Sequence, residues 1–477
     1  MASGPAGIVA AAAITFPGCD SPEVVAVDYS EHRGHITGQN SDFENSNRKV
    51  SDSETAMDLD TISGQNGAQV VKGKNSLSHI AGPVKVNYAN IDDFDERAFG
   101  ILAKELLDTH PAINIERIPQ SDQQYSPNSV ILDLYERGFI GELPDVFQAQ
   151  WGRPLIQRFV EQDKLIPVDD IFQSSVLRNQ YPDRFLSVGE VKGSIWGVPM
   201  SIGRSNLMWF DVQFFESTGI DSPSHWNNWG EAFEAMSQIK ELGVIPFAVD
   251  KSDPLHFAHI FENILLSELG PLPYTKLFSG EVSWLDSGVS KCLNILKKLL
   301  VDFADPNAGT REHDDALDAV LSKRSVLTIF NEQGLKLLYR KGVDTGVSFC
   351  PSPGTRGVFS FVSNAFYASR LTTNPEAVAA WLTLVSNRHL QDQYNQMRVS
   401  LPPRFDADKS MYTEDQRRLL HDWKRDYIVP SVVFGLASDL LGHSNFVNAL
   451  QFFSRRLDVE SVQKYLADRC SFGTSCR

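Results

Sequence analysis

The stretch IWGVPMSIGRSNLMWFD, residues 195–211, decides the fold of this chain. It is apolar almost throughout and lacks the strict alternation of a strand that has one solvent face. This pattern favours extended chain covered on both sides, as in the middle of an α/β sheet. Pro199 has no amide donor for a ladder. The segment near Pro199–Ser201 is therefore predicted to cross from one sheet to another.

Two polar residues follow the crossing segment. Arg204 and Asn206 are two positions apart, so both point to the same side of a strand and offer donors to a polar ligand. The alternative is a core strand whose two polar residues reach the surface at its end. We include both residues among the predicted ligand-binding residues.

The length and charge of the chain restrict its class. A chain of 477 residues is too long for one core and indicates two or more globular units. A formal net charge of −16 argues against nucleic acid as a partner, because phosphates would be repelled. No apolar run reaches the roughly 18 residues that span a bilayer. The sequence predicts a soluble protein, or one held to a membrane only at its end.

The first residues are predicted to be an export segment. Residues 7–16, GIVAAAAITF, have the apolar length of a signal peptide, and Gly18-Cys19 follows. A small residue before a cysteine resembles the processing site of bacterial lipoproteins, in which that cysteine is acylated. The alternative is an Ala-rich leader with an incidental cysteine. We expect residues 1–19 to be a signal or lipoprotein leader lipidated at Cys19, and the polar residues 20–83 to be a disordered tether.

Strands and helices alternate from residue 84 onward. VKVNYANI, 84–91, and INIERIP, 113–119, flank a helical pattern and predict a parallel pair with a right-handed crossover. PDVFQAQWG, 144–152, predicts a further strand and its following loop. Loops after the carboxyl ends of parallel strands face the ligand crevice. Gln148, Gln150 and Trp151 are therefore candidate binding residues, although Trp151 alternatively is a hydrophobic plug beside the sheet.

The second half of the chain is mostly helical. Helices are predicted at 228–242, 256–269, 375–397, 444–454 and 459–468. The strand SVLTIF, 325–330, leads into Asn331-Glu332-Gln333, again polar residues at a strand end. PSPGTRGVFSFVSNAF, 351–366, has the profile of a second crossing between sheets.

The order of these segments resembles the extracellular solute-binding proteins of ABC transporters, in particular the group that serves glucose and related sugars. The matching pieces are PDVFQAQWG, DKLIPVDDIF (163–172), KGSIWGVPMSIGRSNLMWFD (192–211), PSPGTRGVFSFVSNAF and DYIVPSVVFGLASDLL (426–441). The resemblance implies an α/β, type II periplasmic-binding-protein fold of two lobes with a hinge and an interlobe cleft. We assign 84–200 with 361–403 to the first lobe and 201–360 with 404–477 to the second.

The resemblance also implies a site. Sugar sites combine flat apolar faces with forked polar groups. Family members usually carry a Trp pair where this chain has Tyr88-Ala89, and Gly-Asp-Trp where it has Asn331-Glu332-Gln333. We expect Gln148 and Gln150 to act from one lobe, and Arg204, Asn206 and Glu332 to act from the other. The full set of predicted ligand-binding residues is Tyr88, Gln148, Gln150, Trp151, Arg204, Asn206, His256, Glu332, Asn364 and Phe434.

The implied function is that of an exported protein which closes around a small sugar and delivers it to a membrane permease, without a cofactor. The alternative is a ligand-sensing module of a signalling receptor with the same fold. G-x-S-x-G, P-loop and G-x-G-x-x-G motifs are absent from the sequence, so no catalytic residue is predicted. His256, His259 and Glu262 do not have zincin spacing, and no metal site is predicted.

Overall fold

The computed structural model describes residues 80–89, 92–120, 127–173, 175–305, 308, 315–342, 345–438 and 440–470. They fall within one compact unit, Ser76–Ser475. The predicted leader, Cys19 and the tether up to residue 79 lie outside the described residues. The tether was expected to reach residue 83, but the first strand already begins at Gly82.

The strands are numbered in chain order. They are β1 Gly82–Ala89, β2 Ile113–Gln120, β3 Val146–Gln150, β4 Glu190–Val191, β5 Ser194–Ile195, β6 Gly197–Arg204, β7 Leu207–Asp211, β8 Leu327–Phe330, β9 Val347–Pro351, β10 Val358–Ala368 and β11 Tyr427–Pro430.

The helices are numbered in the same way. They are α1 Asp93–Thr109, α2 Pro127–Ile140, α3 Arg153–Glu161, α4 Asp169–Phe172, α5 Ser175–Arg178, α6 Asp183–Val188, α7 Val212–Thr218, α8 Trp229–Glu241, α9 Pro254–Leu269, α10 Pro271–Phe278, α11 Ser287–Lys298, α12 Ala316–Leu321, α13 Gly334–Lys341, α14 Pro375–Val385, α15 Arg388–Arg398, α16 Glu414–Arg425, α17 Leu440–Arg456 and α18 Val459–Arg469. The predicted helix 375–397 is two helices, because Asn387 interrupts it and caps α15 by accepting a hydrogen bond from the Leu390 amide.

The first lobe is built on a mixed sheet in the order β11-β10-β3-β1-β2, with β6 paired to β10. β1 runs parallel to both β2 and β3, as the predicted crossover requires. Val84 and Val86 on β1 are buried beneath α1, which turns its Ala98 and Leu102 to the same core. The alternation of apolar residues along β1 and their helical spacing along α1 give each element one apolar face, and these two faces pack together.

The second lobe is built on a smaller antiparallel sheet in the order β8-β7-β9. Helices α8, α9, α11 and α17 bury their apolar faces around it, and Phe261, Leu293 and Phe446 are fully buried there. The chain passes between the two sheets from β6 to β7, from β9 to β10, and after β11. The expectation of an α/β chain with two lobes and crossing segments is confirmed.

The first crossing lies further along the chain than predicted. Pro199 is inside β6, opposite Ala365, and the chain changes sheets only at Ser205-Asn206. The β6–β10 register shifts between Asn364 and Ala365. A bulge next to the proline accommodates its missing donor, so the strand continues through it.

The lobe boundary near the C-terminus also differs from the prediction. Residues 404–477 were expected in the second lobe, but β11 pairs with β10 in the first sheet. Trp423 on α16 packs edge-on against Phe185 and Phe359 of the first core. Helices α17 and α18 join the second core, together with Val429, Val432 and Val433. The amphipathic face of α16 therefore extends the first lobe to Pro430.

Among the described residues, no helix combines the length and the apolar character needed to cross a membrane.

Candidate functional site

One face of the first sheet carries polar side chains where β3, β10 and β6 lie side by side. The strand register sets Asn364 opposite both Gln150 and Ser201. Residues directly opposite each other in antiparallel strands share a face, and Gln148 shares it because it is two positions from Gln150. We call Gln148, Gln150, Ser201 and Asn364 the polar face.

Two side chains of α15, Tyr394 and Arg398, contact the polar face. Ser201 Oγ donates to Asn364 Oδ1 at 2.9 Å and accepts from Arg398 Nη1 at 3.2 Å. Arg398 Nε is 2.6 Å from Asp95 Oδ1 at the start of α1. A buried network thus joins the sheet to α1 and α15.

The two glutamines of the polar face have different surroundings. Gln148 Nε2 donates to the hydroxyl of Tyr394 at 3.1 Å, and both residues are buried. Gln150 lies against Gly435, where an added Cβ would come within 2.9 Å of Gln150 Oε1. This Oε1 atom is buried without a hydrogen-bond donor among the described residues. A buried acceptor without a donor is costly, and a ligand hydroxyl would relieve that cost.

Glu332 reaches the polar face from the second lobe. It lies in the loop between β8 and α13, and its amide donates to the Arg204 carbonyl at 2.9 Å. Its carboxylate rests on Gly203, which is two positions from Ser201 and so lies on the same side of β6. Glu332 Oε2 is buried without a donor among the described residues. Burial raises the pKa of Glu332 above its ordinary value, and the Arg398 and Lys336 charges oppose this.

Replacing Gly203 by alanine is expected to weaken ligand binding. The new Cβ would lie about 2.0 Å from the Glu332 carboxyl group, so this carboxylate must move off the polar face. Losing one charge-assisted hydrogen bond costs about 1–3 kcal/mol, roughly a 5- to 150-fold rise in Kd, which titration calorimetry would measure. Gly100→Ala in α1 is the control, because an added Cβ there meets no atom within 4 Å. Equal affinities for both variants would contradict this placement of Glu332.

Arg204 and Asn206 do not lie on the polar face, and their predicted role as ligand-binding residues is corrected. Arg204 pairs with Phe361, on the opposite side of the sheet from Ser201 and Gly203. It donates to Asp422 Oδ2 and to the Val358 carbonyl, each at 2.7 Å, and to Asn206 at 3.1 Å.

The side chain of Asn206 also makes its hydrogen bonds to residues of the crossing segments. Its Nδ2 donates to Thr355 Oγ1 and the Val358 carbonyl, each at 2.9 Å, while its Oδ1 accepts from the Ser360 amide. Arg204 and Asn206 therefore hold the crossing segments together.

Two predicted aromatic platforms are part of the first core. Tyr88 stacks on Phe99 with ring centroids 3.6 Å apart, and its hydroxyl donates to Glu96. Burial is the main cause that raises the pKa of Tyr88 to about 12. Trp151 is 0% exposed and donates from Nε1 to the Phe185 carbonyl at 2.9 Å. Both rings are thus used in packing the first core, and this burial favours the plug alternative for Trp151.

His256 is also a structural residue. Its Nδ1 accepts from the Asp250 amide at 2.8 Å and its Nε2 faces the Ile329 carbonyl at 3.0 Å. Burial lowers the pKa of His256, so the ring is neutral and both nitrogens are used. Phe434 is partly buried, packs against both lobe cores and lies edge-on to His259. It remains a candidate at the rim between the lobes.

The buried cluster around Glu262 joins the crossing segments. Glu262 accepts from Tyr274, Ser431 and the Val432 amide at 2.6–2.8 Å. His259 Nε2 is 2.8 Å from the Ser205 carbonyl. Within the described ranges, no group of three or more His, Cys, Asp or Glu side chains is placed to hold a metal ion.

The site also contains residues that the sequence analysis did not select. They are Asp95, Ser201, Lys336, Tyr394 and Arg398. Ser201 could have been found from strand parity, because Gly203, two positions on, marks a close approach to that side of β6. The other four depend on contacts between distant parts of the chain.

This arrangement defines a class: two α/β lobes joined by crossing segments, with polar groups of both lobes meeting between them. Structural comparison places the fold among solved solute receptors. The bacterial solute receptor AcbH aligns with a TM-score of 0.69 at 16% identity, covering 81% of this chain and 97% of that one. The sugar-binding protein MalE from Xanthomonas citri aligns with a TM-score of 0.64 at 14% identity, covering 82% and 96%. The fold is the type II periplasmic-binding-protein fold.

Sequence comparison extends the likeness beyond the fold. An uncharacterized ABC transporter extracellular-binding protein of Pyrococcus horikoshii is 26% identical over 347 residues, 72% of this chain and 77% of that protein. The xylose/arabinose-binding protein XacG of Haloferax volcanii is 22% identical over 298 residues, 61% of this chain and 63% of that protein. No family model matches the chain. The chain is thus related to the extracellular solute-binding proteins of ABC transporters, as its sequence resemblance predicts.

Proposed function

We propose that this protein is the solute-binding component of an ABC importer, and that it binds a small neutral carbohydrate on the polar face, between the lobes. The observation that carries the proposal is a pair of buried acceptors, Gln150 Oε1 and Glu332 Oε2, which come from opposite lobes and have no donor among the described residues. Neutral sugars present several hydroxyl donors on a small frame, which suits such acceptors.

The physical role of closure follows from this geometry. A ligand that contacts Gln150 on the first lobe and Glu332 on the second stabilises the closed arrangement by its differential affinity for it. Hinge closure around ligands is the established behaviour of periplasmic binding proteins as a class. The closed, loaded form would be the one that a membrane permease receives. No bond is made or broken in this role.

The location is part of the same proposal. A Brucella melitensis protein described as a "probable sugar-binding periplasmic protein" is 23% identical to this chain over 275 residues. We place the present protein outside the cytoplasmic membrane, with acylation of Cys19 as its means of attachment.

A screen of mono- and disaccharides by thermal unfolding, followed by calorimetry, tests the proposed function. A true ligand at about 100 times its Kd should stabilise the protein by about 2.7 kcal/mol. Gln150→Ala should then raise Kd by roughly 5- to 150-fold, because ligand hydroxyls would be left unpaired. Gln157→Ala is the matched control, since Gln157 is an exposed glutamine bonded to Glu161. Failure of every sugar to shift unfolding would refute the carbohydrate assignment.

A further inference from the structure

Helix α1 follows β1 of the first sheet, helix α13 follows β8 of the second sheet, and the two helices meet through buried charges. Lys336 Nζ of α13 is 3.0 Å from Asp92 Oδ2 and 3.6 Å from Asp95 Oδ1. The Lys336 side chain is only 6% exposed and that of Asp95 is fully buried. Both acidic residues lie at the N-terminal end of α1, where the helix dipole favours negative charge.

A second, more exposed layer of charges surrounds the first. Arg340 Nη2, one helical turn after Lys336, is 3.3 Å from Asp92 Oδ2 and 3.2 Å from Asp93 Oδ1. The Arg340 side chain is 44% exposed. The contact between the two helices therefore has a buried part, the Lys336–Asp95 pair, and an exposed part, which we call the rim. The rim consists of Arg340 and its partners Asp92 and Asp93.

Aromatic contacts hold the same two helices together. Phe94 of α1 meets Tyr339 of α13 edge-on, with ring centroids 5.8 Å apart. Lys336 Nζ and Arg340 Cζ lie 5.9 and 5.1 Å from the centre of the Phe94 ring. Cations over an aromatic face are attracted to it, and more strongly when they are partly desolvated. Two cations and one ring of α13 thus contact the first turn of α1.

These contacts are continuous with the candidate site. Asp95 pairs with Lys336 on one side and with Arg398 of the polar-face network on the other. Desolvation by burial is the main cause that lowers the pKa of Lys336. The neighbouring charges of Asp95 and Asp92 raise it. Breaking a buried pair leaves an uncompensated charge, so the contact resists separation of the lobes.

We propose that Asp92, Asp93, Asp95, Lys336 and Arg340 form a latch that holds the two lobes together in the ligand-free protein. Every contact in the latch is made between protein side chains, so a bound solute supplies none of them. This inference goes beyond the proposed function, because it concerns the equilibrium between open and closed protein before any ligand binds. Part of the closing free energy is then supplied by the chain itself, which raises the closed population that a ligand meets.

Small-angle X-ray scattering of the full chain without sugar tests the latch. The double variant Lys336→Gln/Arg340→Gln should have a larger radius of gyration than the unaltered protein, because the lobes separate. Lys104→Gln/Lys291→Gln is the matched control: it removes the same charge, but its pairs, Lys104–Asp108 and Lys291–Glu268, lie within single lobes. The N-terminal residues are identical in all three proteins, so differences in scattering report on the lobes.

Two further measurements keep the latch falsifiable if the double variant does not fold. The charge-conserving exchange Lys336→Arg/Arg340→Lys should remain compact. The unaltered protein should expand as salt rises from about 0.01 to 1 M, since the Debye length falls from about 30 to 3 Å and the exposed rim is screened. A folded double variant with unchanged scattering would overturn the proposal. If the double variant does not fold, a radius of gyration of the unaltered protein that does not change with salt would overturn the proposal. Neither outcome depends on whether a sugar binds.

Discussion

Replacing Arg204 by methionine is expected to lower the free energy of unfolding by about 3–5 kcal/mol, because it removes the buried counter-charge of two carboxylates and leaves them only the exposed Arg425. The Arg204 side chain is 0% exposed, and it lies 2.7 Å from Asp422 and 3.5 Å from Asp426, whose side chain is also fully buried. Methionine keeps most of the volume of the side chain but provides no donors. Denaturant unfolding, followed by fluorescence and circular dichroism, would measure the change.

A neighbouring arginine provides the control for this prediction. Arg425 contacts the same two carboxylates from the solvent side, at 3.1 and 2.9 Å, with its side chain 56% exposed. Exposed pairs contribute little, so Arg425→Met should cost less than about 1 kcal/mol. If Arg204→Met left stability unchanged and removed only ligand affinity, Arg204 would be a ligand-binding residue after all.

Replacing Glu332 by glutamine is expected to act on binding and stability in opposite directions. The ligand loses a charge-assisted partner, so Kd should rise roughly 5- to 150-fold in calorimetry. The ligand-free protein should become more stable at pH values above the raised pKa of Glu332, because burial penalises the ionised carboxylate. A residue that only supports the fold would lose stability instead.

The pH dependence of this second effect has a definite sign. The Glu332 pKa is raised in the folded protein, so folding favours its protonated form. That contribution is fully present below the ordinary value of 4.5 and is lost as pH rises through the raised folded value. The stability gain of Glu332→Gln should therefore appear above the raised pKa and vanish below 4.5. Glu281→Gln, at an exposed pair with Lys276, is the control for the loss of one carboxylate. A gain that persists at acid pH would contradict the assignment.

Much of the architecture could be predicted because it depends on local patterns. Alternation at 84–91 and helical spacing in α8 and α9 gave elements within a few residues of the observed ones. The two crossings were predicted from continuous apolar chain interrupted by Pro or Gly. The packing of α16 could not be predicted, because its amphipathic face suits either core and the choice depends on long-range contacts with Phe185 and Phe359.

The candidate site was only partly predictable, for a reason of strand geometry. Gln148, Gln150 and Asn364 come together with Glu332 because strand ends and registers place them between the lobes. Arg204 was correctly paired with Asn206 but lies on the other side of the sheet. Alternation shows which residues share a side of a strand, but it does not show which side faces the other lobe.

Charged residues on helices were missed for a different reason. On sequence alone, Lys336 and Arg398 resemble residues of a solvated helix face. Their partners, Asp92 and Asp95, are about 240 and 300 positions away in the chain. Only the docking of α13 and α15 on α1 desolvates them. Tyr88 and Trp151 illustrate the same limit, because an aromatic residue at a strand end serves equally well as a platform or a plug.

The central claim is that a small sugar sits between the lobes against the polar face. A crystal structure of the protein with the sugar that most strongly raises its unfolding temperature tests this most directly. We expect sugar hydroxyls within hydrogen-bond distance of Gln150 and Glu332, with the network of Arg204 and Asn206 undisturbed behind the sheet. A sugar bound to Arg204 and Asn206, or lying on an outer surface of either lobe, would contradict it.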